Sequence, residues 1–281
     1  MSMPSAELPY LNKSKPECPP VVSIGMPVYN GEKYIREALE SLLNQTFRNF
    51  ELTISDNAST DETEKICKEY ASRDKRIRYI RQLDNLGPVA NFLLVFSEAR
   101  GTYFMWAAHD DRWGDTFIER LVAVLESDKG CGLAFSNYIV RNLDTGEEVR
   151  HKVAASDSRS AIRNYIIRTF NMRPSLIYGM YRIALVKTAI LSTPFDFADV
   201  HFISDLAIRT KILVVEDFLY VAGTKGVRKP YSVTHRKINR MTFLKKQGDL
   251  LLCNFSLPVA IFLFFIVCSV MAYNKLRLWR Y

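Results

Sequence analysis

The stretch Thr102–Trp113, TYFMWAAHDDRW, decides how the chain is read. It passes from aromatic and small apolar residues, suited to a buried strand, straight into His109, Asp110 and Asp111. Two carboxylates at the end of such a run sit where the chain leaves a sheet. In open α/β sheets ligands gather outside the carboxyl ends of the strands, so an acidic strand end can seat a divalent cation that carries a phosphate. An Asp-Asp pair is equally at home in a solvated turn. The neighbouring strands must decide between the two.

Two earlier strands end in the same way. Val21–Tyr29 is an apolar run of strand length that stops at Asn30-Gly31, and Tyr34, Ile35, Ala38, Leu39, Leu42 and Leu43 then recur at helical spacing. Phe50–Ser55 is a second strand, closed by Asp56, Asn57, Ala58, Ser59, Thr60, Asp61 and Glu62. Ser59 and Glu62 fit a capping box for a helix carrying Ile66, Cys67, Tyr70 and Ala71. Asp61 suits that helix start as a favourable charge, whereas Asp56 precedes the cap. Arg76–Gln82 gives a third strand, Asn85–Pro88 a turn, and Val89, Ala90, Leu93, Phe96 and Ala99 a third helix. Alternating strands and helices imply an α/β fold with a largely parallel, doubly wound sheet. That architecture brings Tyr29-Asn30, Asp56 and Asp110-Asp111 to one edge, and no glycine-rich phosphate loop competes with them.

Composition narrows the partners. The chain has 281 residues, 48% of them hydrophobic, and a formal net charge of +8, which points to phosphate-bearing substrates or anionic lipid. No arginine-rich arm accompanies the charge, so nucleic acid is not an expected partner. Cys18, Cys67, Cys131, Cys253 and Cys268 are odd in number and lack metal-type spacing, as expected of reduced thiols. Residues 1–20 are polar and proline-rich without an apolar signal segment, and read as a loose tail.

Taken together, Pro27-Val28-Tyr29-Asn30, the run Asp56–Asp61, the turn Asn85-Leu86-Gly87 and Asp110-Asp111 resemble family 2 glycosyltransferases of the GT-A fold. The resemblance covers roughly Val21–Tyr231. It implies transfer of a sugar from a nucleotide diphosphate donor, of UDP or dTDP type, to an acceptor hydroxyl with inversion at the anomeric carbon. By position, Pro27, Val28, Tyr29, Asn30 and Asn57 would line the nucleotide and Asp56 would hydrogen-bond the base. Asp110 would be the last acid of the DXD motif and, with Asp111, would hold Mg²⁺ or Mn²⁺. The family places an acid two residues earlier, where this chain has Ala108. One carboxylate with phosphate oxygens and waters can still hold the ion.

Further along, Phe117, Ile118, Leu121, Val122 and Leu125 mark a helix, Gly132–Ser136 a strand and Asn142–Gly146 a hairpin turn. Gly179, within Arg173–Arg182, resembles the family's acceptor segment and reads equally as a structural glycine. Inversion needs a base for the acceptor proton, and Asp199 and Asp205 are the candidates, with Asp199 preferred. Glu216-Asp217 reads as a turn, and His235 as a diphosphate contact by resemblance.

The expected organisation is therefore a GT-A domain over residues 21–235, a basic juxtamembrane stretch over 236–249, a membrane helix or re-entrant segment over 250–273 and a basic tail over 274–281. A cytosol-facing enzyme at the cell membrane is then expected, glycosylating a lipid-linked or membrane-proximal glycan, and the resemblance implies bacterial surface polysaccharide assembly as its setting. The alternatives are a polyprenyl-phosphate sugar synthase and, from another class, a non-catalytic nucleotide-sugar-binding membrane protein. Membrane lipids would be partners in each case.

Overall fold

The computed structural model describes residues 19–171, 173–186, 198–224 and 240–278. Residues 1–18 of the expected tail and His235 lie outside them. In chain order the elements are β1 (Val22–Val28), α1 (Ile35–Leu43), β2 (Phe50–Asp56), α2 (Thr63–Arg73), β3 (Ile77–Arg81), α3 (Pro88–Ser97), β4 (Tyr103–Trp106) and β5 (Arg112–Trp113). There follow α4 (Phe117–Ser127), β6 (Cys131–Asn142), β7 (Glu148–His151), α5 (Ala161–Phe170), a 3₁₀ turn (Pro174–Tyr178) and β8 (Met180–Arg182). The last are α6 (Ile183–Val186), α7 (Ala198–Arg209), β9 (Lys211–Thr224), α8 (Arg240–Asn254) and α9 (Leu257–Leu278).

Every residue of β1 is buried because parallel neighbours flank it and helices cover both faces, which is why it reads as an unbroken apolar run. The sheet order is β3-β2-β1-β4-β8-β6-β9-β5, with β7 on β6. β1 to β4 pair in parallel, and β8 then joins β4 antiparallel, so the sheet is mixed rather than largely parallel. The register sets Val28 beside Asp56 and Asp56 beside Arg81. Three strands thus end level.

Trp106 joins the two halves of the core. It is 1% exposed and its ring lies 4.8 Å from Phe104, 5.4 Å from Tyr181, 5.8 Å from Phe96 and 6.1 Å from Phe202. Those partners come from β4, β8, α3 and α7, and the indole N–H donates to Phe92 O at 3.0 Å. Large aromatics in edge-to-face contact give both burial and directional packing. The position of α7 therefore depends on the same residue that ends β4.

Several local expectations change. Ser59 does not close a capping box: its Oγ accepts from Asn30 N at 2.9 Å, and Asp61 Oδ1 instead accepts from Thr63 N at 3.0 Å at the start of α2. Burial opposes ionisation of Asp61, but hydrogen bonds from Thr63 and from backbone N–H groups hold its carboxyl below the usual range. The strand expected over Gly132–Ser136 continues to Asn142, where the hairpin to β7 does form. Glu216-Asp217 is a bulge inside β9, not a turn between strands: the pairing jumps from Ser136–Val215 to Asn137–Phe218. The amide Nδ2 of Asn137 donates to Glu216 O at 2.6 Å and holds the bulge.

A second apolar cluster, Tyr165, Val200, Leu250, Leu251, Ala260, Leu263 and Val267, ties α8 and α9 to α5 and α7. Tyr165 Oη donates to Gln247 Oε1 at 2.7 Å across it. α8 runs through Asn254, across the boundary expected at residue 250, and Pro258 sits in the first turn of α9. Among the described residues no helix is long and apolar enough to cross a membrane. Ala260, Leu263 and Val267 form a stripe against the domain, whereas Leu257, Ile261, Phe262 and Phe265 are exposed.

Gly223 offers a test of how tightly the sheet closes. A Cβ placed there would lie 2.1 Å from Asp110 O, so β9 and the loop after β4 touch backbone to backbone. Gly223→Ala is expected to destabilise the protein by about 1–3 kcal/mol in urea titrations. An unchanged midpoint would show that this contact is not tight.

Candidate functional site

The site is assembled at the carboxyl edge of β1, β2, β3 and β4. Tyr29 and Asn30 leave β1 exposed, and Asn30 takes a positive φ of 52° as the chain turns toward α1. Its backbone N–H donates to Ser59 Oγ, and its side-chain Oδ1 accepts from Thr60 N at 2.9 Å. Gly31 N donates to Thr63 Oγ1 at 2.8 Å. These bonds lace the loop after β1 to the loop after β2. Pro27 and Val28 are buried within the strand, so they shape the edge without offering side chains to a ligand.

Asp56 does not present its carboxylate to a base. It is 0% exposed, with Oδ1 accepting from Ser59 N at 2.8 Å and Oδ2 from Tyr79 Oη at 2.7 Å and Arg81 Nη1 at 2.8 Å. Three donors on one buried carboxylate make it a clamp, which holds the half-exposed Arg81 guanidinium at the site's wall. Burial and the neighbouring Asp56 carboxylate also push the Tyr79 phenol up, so Tyr79 stays a donor. Asn57 is likewise taken up. Its Nδ2 donates to Asn85 Oδ1 at 2.8 Å and its Oδ1 accepts from Leu86 N at 2.8 Å, which fixes the turn that Gly87 completes at φ 82°. Tyr79 and Arg81 were missed in the sequence, although a tyrosine and an arginine near the end of a third strand are the signal for them.

The two acids after β4 part company. Asp111 is 4% exposed; Tyr220 Oη donates to its Oδ2, and Gly223 N donates to its Oδ1 at 2.9 Å. Both oxygens are spent on β9, so the expected metal contact of Asp111 is not available. Asp110 is half-buried, and its carboxylate has no hydrogen-bond or ion-pair partner among the described residues. His109 packs over Gly31, where a Cβ would come within 2.9 Å of the imidazole.

Whether a divalent ion fits can be judged from this donor set. Among the described residues no group of three histidine, cysteine or acidic side chains could hold a metal. Ala108 supplies no ligand and Asp111 is closed, which leaves Asp110. A single open carboxylate suits an ion that arrives with a diphosphate and keeps its waters, the usual habit of Mg²⁺, and does not suit a resident metal cage.

Asp199 lies in the first turn of α7, whose Phe202 packs on Trp106, and its Oδ1 accepts from Val200 N at 2.9 Å. Burial pushes its carboxyl above the usual carboxylate range, the direction that favours a base near neutral pH. Asp205 is different. It forms an ion pair with Arg209 at 2.7 Å and lies roughly 240° around the helix from Asp199. Gly179 packs closely on the core: a Cβ would be 2.5 Å from the Leu133 side chain and 2.8 Å from Ala134 O. An open groove beside α4 is lined by Arg120 and Asp217, which pair with each other at 2.8 Å, and offers no comparable chemistry.

Comparison with known proteins bears on the fold and the family. The chain is 37% identical over 163 residues to an uncharacterized glycosyltransferase of Rickettsia typhi, covering 57% of this chain and 48% of that protein. It is 32% identical over 178 residues to the putative glycosyltransferase EpsH of Bacillus subtilis, covering 62% and 51%. The chain thus spans about half the length of these curated relatives. Among solved structures, S. aureus TarS in complex with UDP-GlcNAc superposes with a TM-score of 0.68 at 22% identity, over 89% of this chain and 71% of that one. The mannosyltransferase PcManGT of Pyrobaculum calidifontis, in complex with GDP-Man and Mn²⁺, gives 0.55 at 14% identity, over 96% and 79%. These likenesses establish the GT-A-like fold. The profile of the glycosyl transferase family 2 matches residues 23–193, more than half of the 281-residue chain, and the chain therefore belongs to that family.

Proposed function

We propose that this chain transfers a sugar, with inversion, from a UDP- or dTDP-type donor to a hydroxyl of a lipid-linked or membrane-proximal glycan. One observation carries the reading: the open carboxylate of Asp110 follows the strand that ends in Trp106, and Asp199, half-buried with its carboxyl pushed up by burial, lies in the first turn of the helix whose Phe202 packs on that Trp106. We read the first as serving the donor and the second the acceptor. The UDP-GlcNAc bound by TarS supports a uridine donor, and the Mn²⁺ of PcManGT supports a metal-assisted one.

In this reading Tyr29, Asn30 and Arg81 line the nucleotide, with Asp56 acting behind Arg81. A Mg²⁺ or Mn²⁺ held by Asp110 would neutralise charge on the departing diphosphate. Asp199 takes the acceptor hydroxyl's proton as its oxygen attacks the anomeric carbon from the face opposite the leaving group. The raised affinity of Asp199 for a proton suits that transfer better than the ion-paired Asp205. Membrane lipid is a further proposed partner. Leu257, Ile261, Phe262 and Phe265 form an exposed apolar face on α9, Lys245 on α8 adds charge, and the catalytic domain would lie on the cytoplasmic side. Surface polysaccharide assembly is the setting this arrangement fits.

Asp199→Asn is expected to leave UDP affinity unchanged and to lower turnover by about 10²–10⁴-fold. A fully active variant would remove Asp199 from the mechanism. Transfer by the native enzyme should fall as pH drops through the Asp199 value, because the base must be ionised. Product stereochemistry, read by NMR, should be inverted, and offering free polyprenyl phosphate in place of a glycan separates the synthase alternative.

Asp199 also makes a stability prediction. The folded protein holds this proton more tightly than the unfolded chain, so its contribution is full below the unfolded pKa and is lost as pH rises through the folded value. Asp199→Asn should therefore raise the urea midpoint at neutral pH, and the gain should vanish below the usual carboxylate range. A variant no more stable than the native protein at neutral pH would contradict the burial argument.

A further inference from the structure

α8 and α9 form a helical pair joined through Phe255 and Ser256, and the 22 residues of α9 make a helix about 33 Å long. Its two sides differ in what covers them. Ala260, Leu263 and Val267 fall within about 60° of one another around the helix and are buried in the cluster that holds Tyr165 of α5, Val200 of α7 and Leu250 of α8. Leu257, Ile261, Phe262 and Phe265 spread over about 140° on the opposite side, and Leu257, Phe262 and Phe265 are 61%, 60% and 66% exposed. Leu252, near the end of α8, is exposed as well. Large apolar side chains gathered on one helix face, unlike scattered single ones, mark a surface that meets an apolar partner.

The charges beside this face indicate which partner. Residues 236–281 contain eight lysines and arginines and a single acid, Asp249. Arg240, Lys245 and Lys246 precede the apolar run, and Lys275, Arg277 and Arg280 follow it. A second copy of the chain would set like charge against like charge at both ends of the helix, whereas anionic headgroups complement both. The packed side of α9 decides how a bilayer can be met. Gln247 of α8 accepts from Tyr165 Oη of α5 at 2.7 Å, and its Nε2 lies 3.3 Å from His201 Nδ1 of α7. Crossing a bilayer in this packing would draw α5 and α7, with Arg163, Arg168, Asp205 and Arg209, into hydrocarbon. Among the described residues no helix is long and apolar enough to cross in any case.

We propose that α8 and α9 lie flat in the interface of an anionic bilayer, with Leu257, Ile261, Phe262 and Phe265 among the acyl chains and the basic flanks on the headgroups. This rests on lipid being a partner of the enzyme and adds how the lipid is met: by a helix in the plane of the surface, about 5–10 Å deep, not by a span. Val200, the neighbour of Asp199, belongs to the cluster beneath α9, so the bilayer borders the side of the protein that carries the base.

The test floats the whole chain with vesicles of phosphatidylcholine alone and of phosphatidylcholine with phosphatidylglycerol. Binding is expected to the second, and to weaken in high salt. Phe262→Ser combined with Phe265→Ser, at exposed positions, should weaken it by about 10- to 100-fold with an unchanged melting curve. Depth is read from Leu257→Trp and Phe265→Trp, made singly, by the added fluorescence that lipids brominated at different depths quench. A flat helix puts both tryptophans at one shallow level, whereas a crossing helix separates them by about 12 Å. Such a separation, no flotation with either vesicle, or a double variant that floats like the native chain would overturn the proposal. UDP titration of the same samples separates it from the enzymatic reading. Flotation by a chain that ignores UDP would keep the surface and remove the donor site; UDP binding without flotation would do the reverse.

Discussion

The arrangement depends on burying one carboxylate so that the one beside it can stay open. Asp111 is drawn under the sheet edge by the Tyr220 hydroxyl and the Gly223 N–H. Two donors offset the desolvation of its charge, and burial keeps the Tyr220 phenol protonated and able to donate. The same bonds turn the loop after β4 so that Asp110 remains half-exposed at the edge. Asp56 repeats the device one strand away, where a fully buried carboxylate holds Arg81 at the surface of the site. In both places an acid that looks like a ligand contact works through its neighbour.

Trp106 carries this order across the molecule. It ends the strand that leads to Asp110 and packs on Phe202 of α7, the helix that carries Asp199 in its first turn. Asp110 and Asp199 are therefore both referenced to one aromatic cluster.

The α/β class and the meeting of strand ends were legible in the sequence because β1, β2 and β4 are buried on both faces and read as clean apolar runs. β6 and β9 were less legible. Their outer halves carry Asn137, Arg141, Glu216 and Asp217, and the bulge that accommodates the last two interrupts the alternation a strand would show. At the site, the type and place of each acid could be read but its partners could not. Tyr220 and Gly223 lie 109 and 112 residues beyond Asp111, and no spacing rule connects them. The close packing of Gly179 was hidden for the same reason, since the side chain its Cβ direction meets is Leu133 on β6. The C-terminal segment reads as membrane-length in the sequence; in the structure Ala260, Leu263 and Val267 turn toward the domain and leave an apolar face opposite.

The most direct test of this account is calorimetric titration of UDP with Mn²⁺ and with EDTA into the native chain, Asp110→Asn and Asp111→Asn, with melting curves of each. The account requires that Asp110→Asn lose the metal-dependent part of UDP binding while melting like the native protein, and that Asp111→Asn melt lower. A correctly folded, normally melting Asp111→Asn that has lost the metal dependence, beside an Asp110→Asn that has kept it, would reverse the two roles and contradict the account.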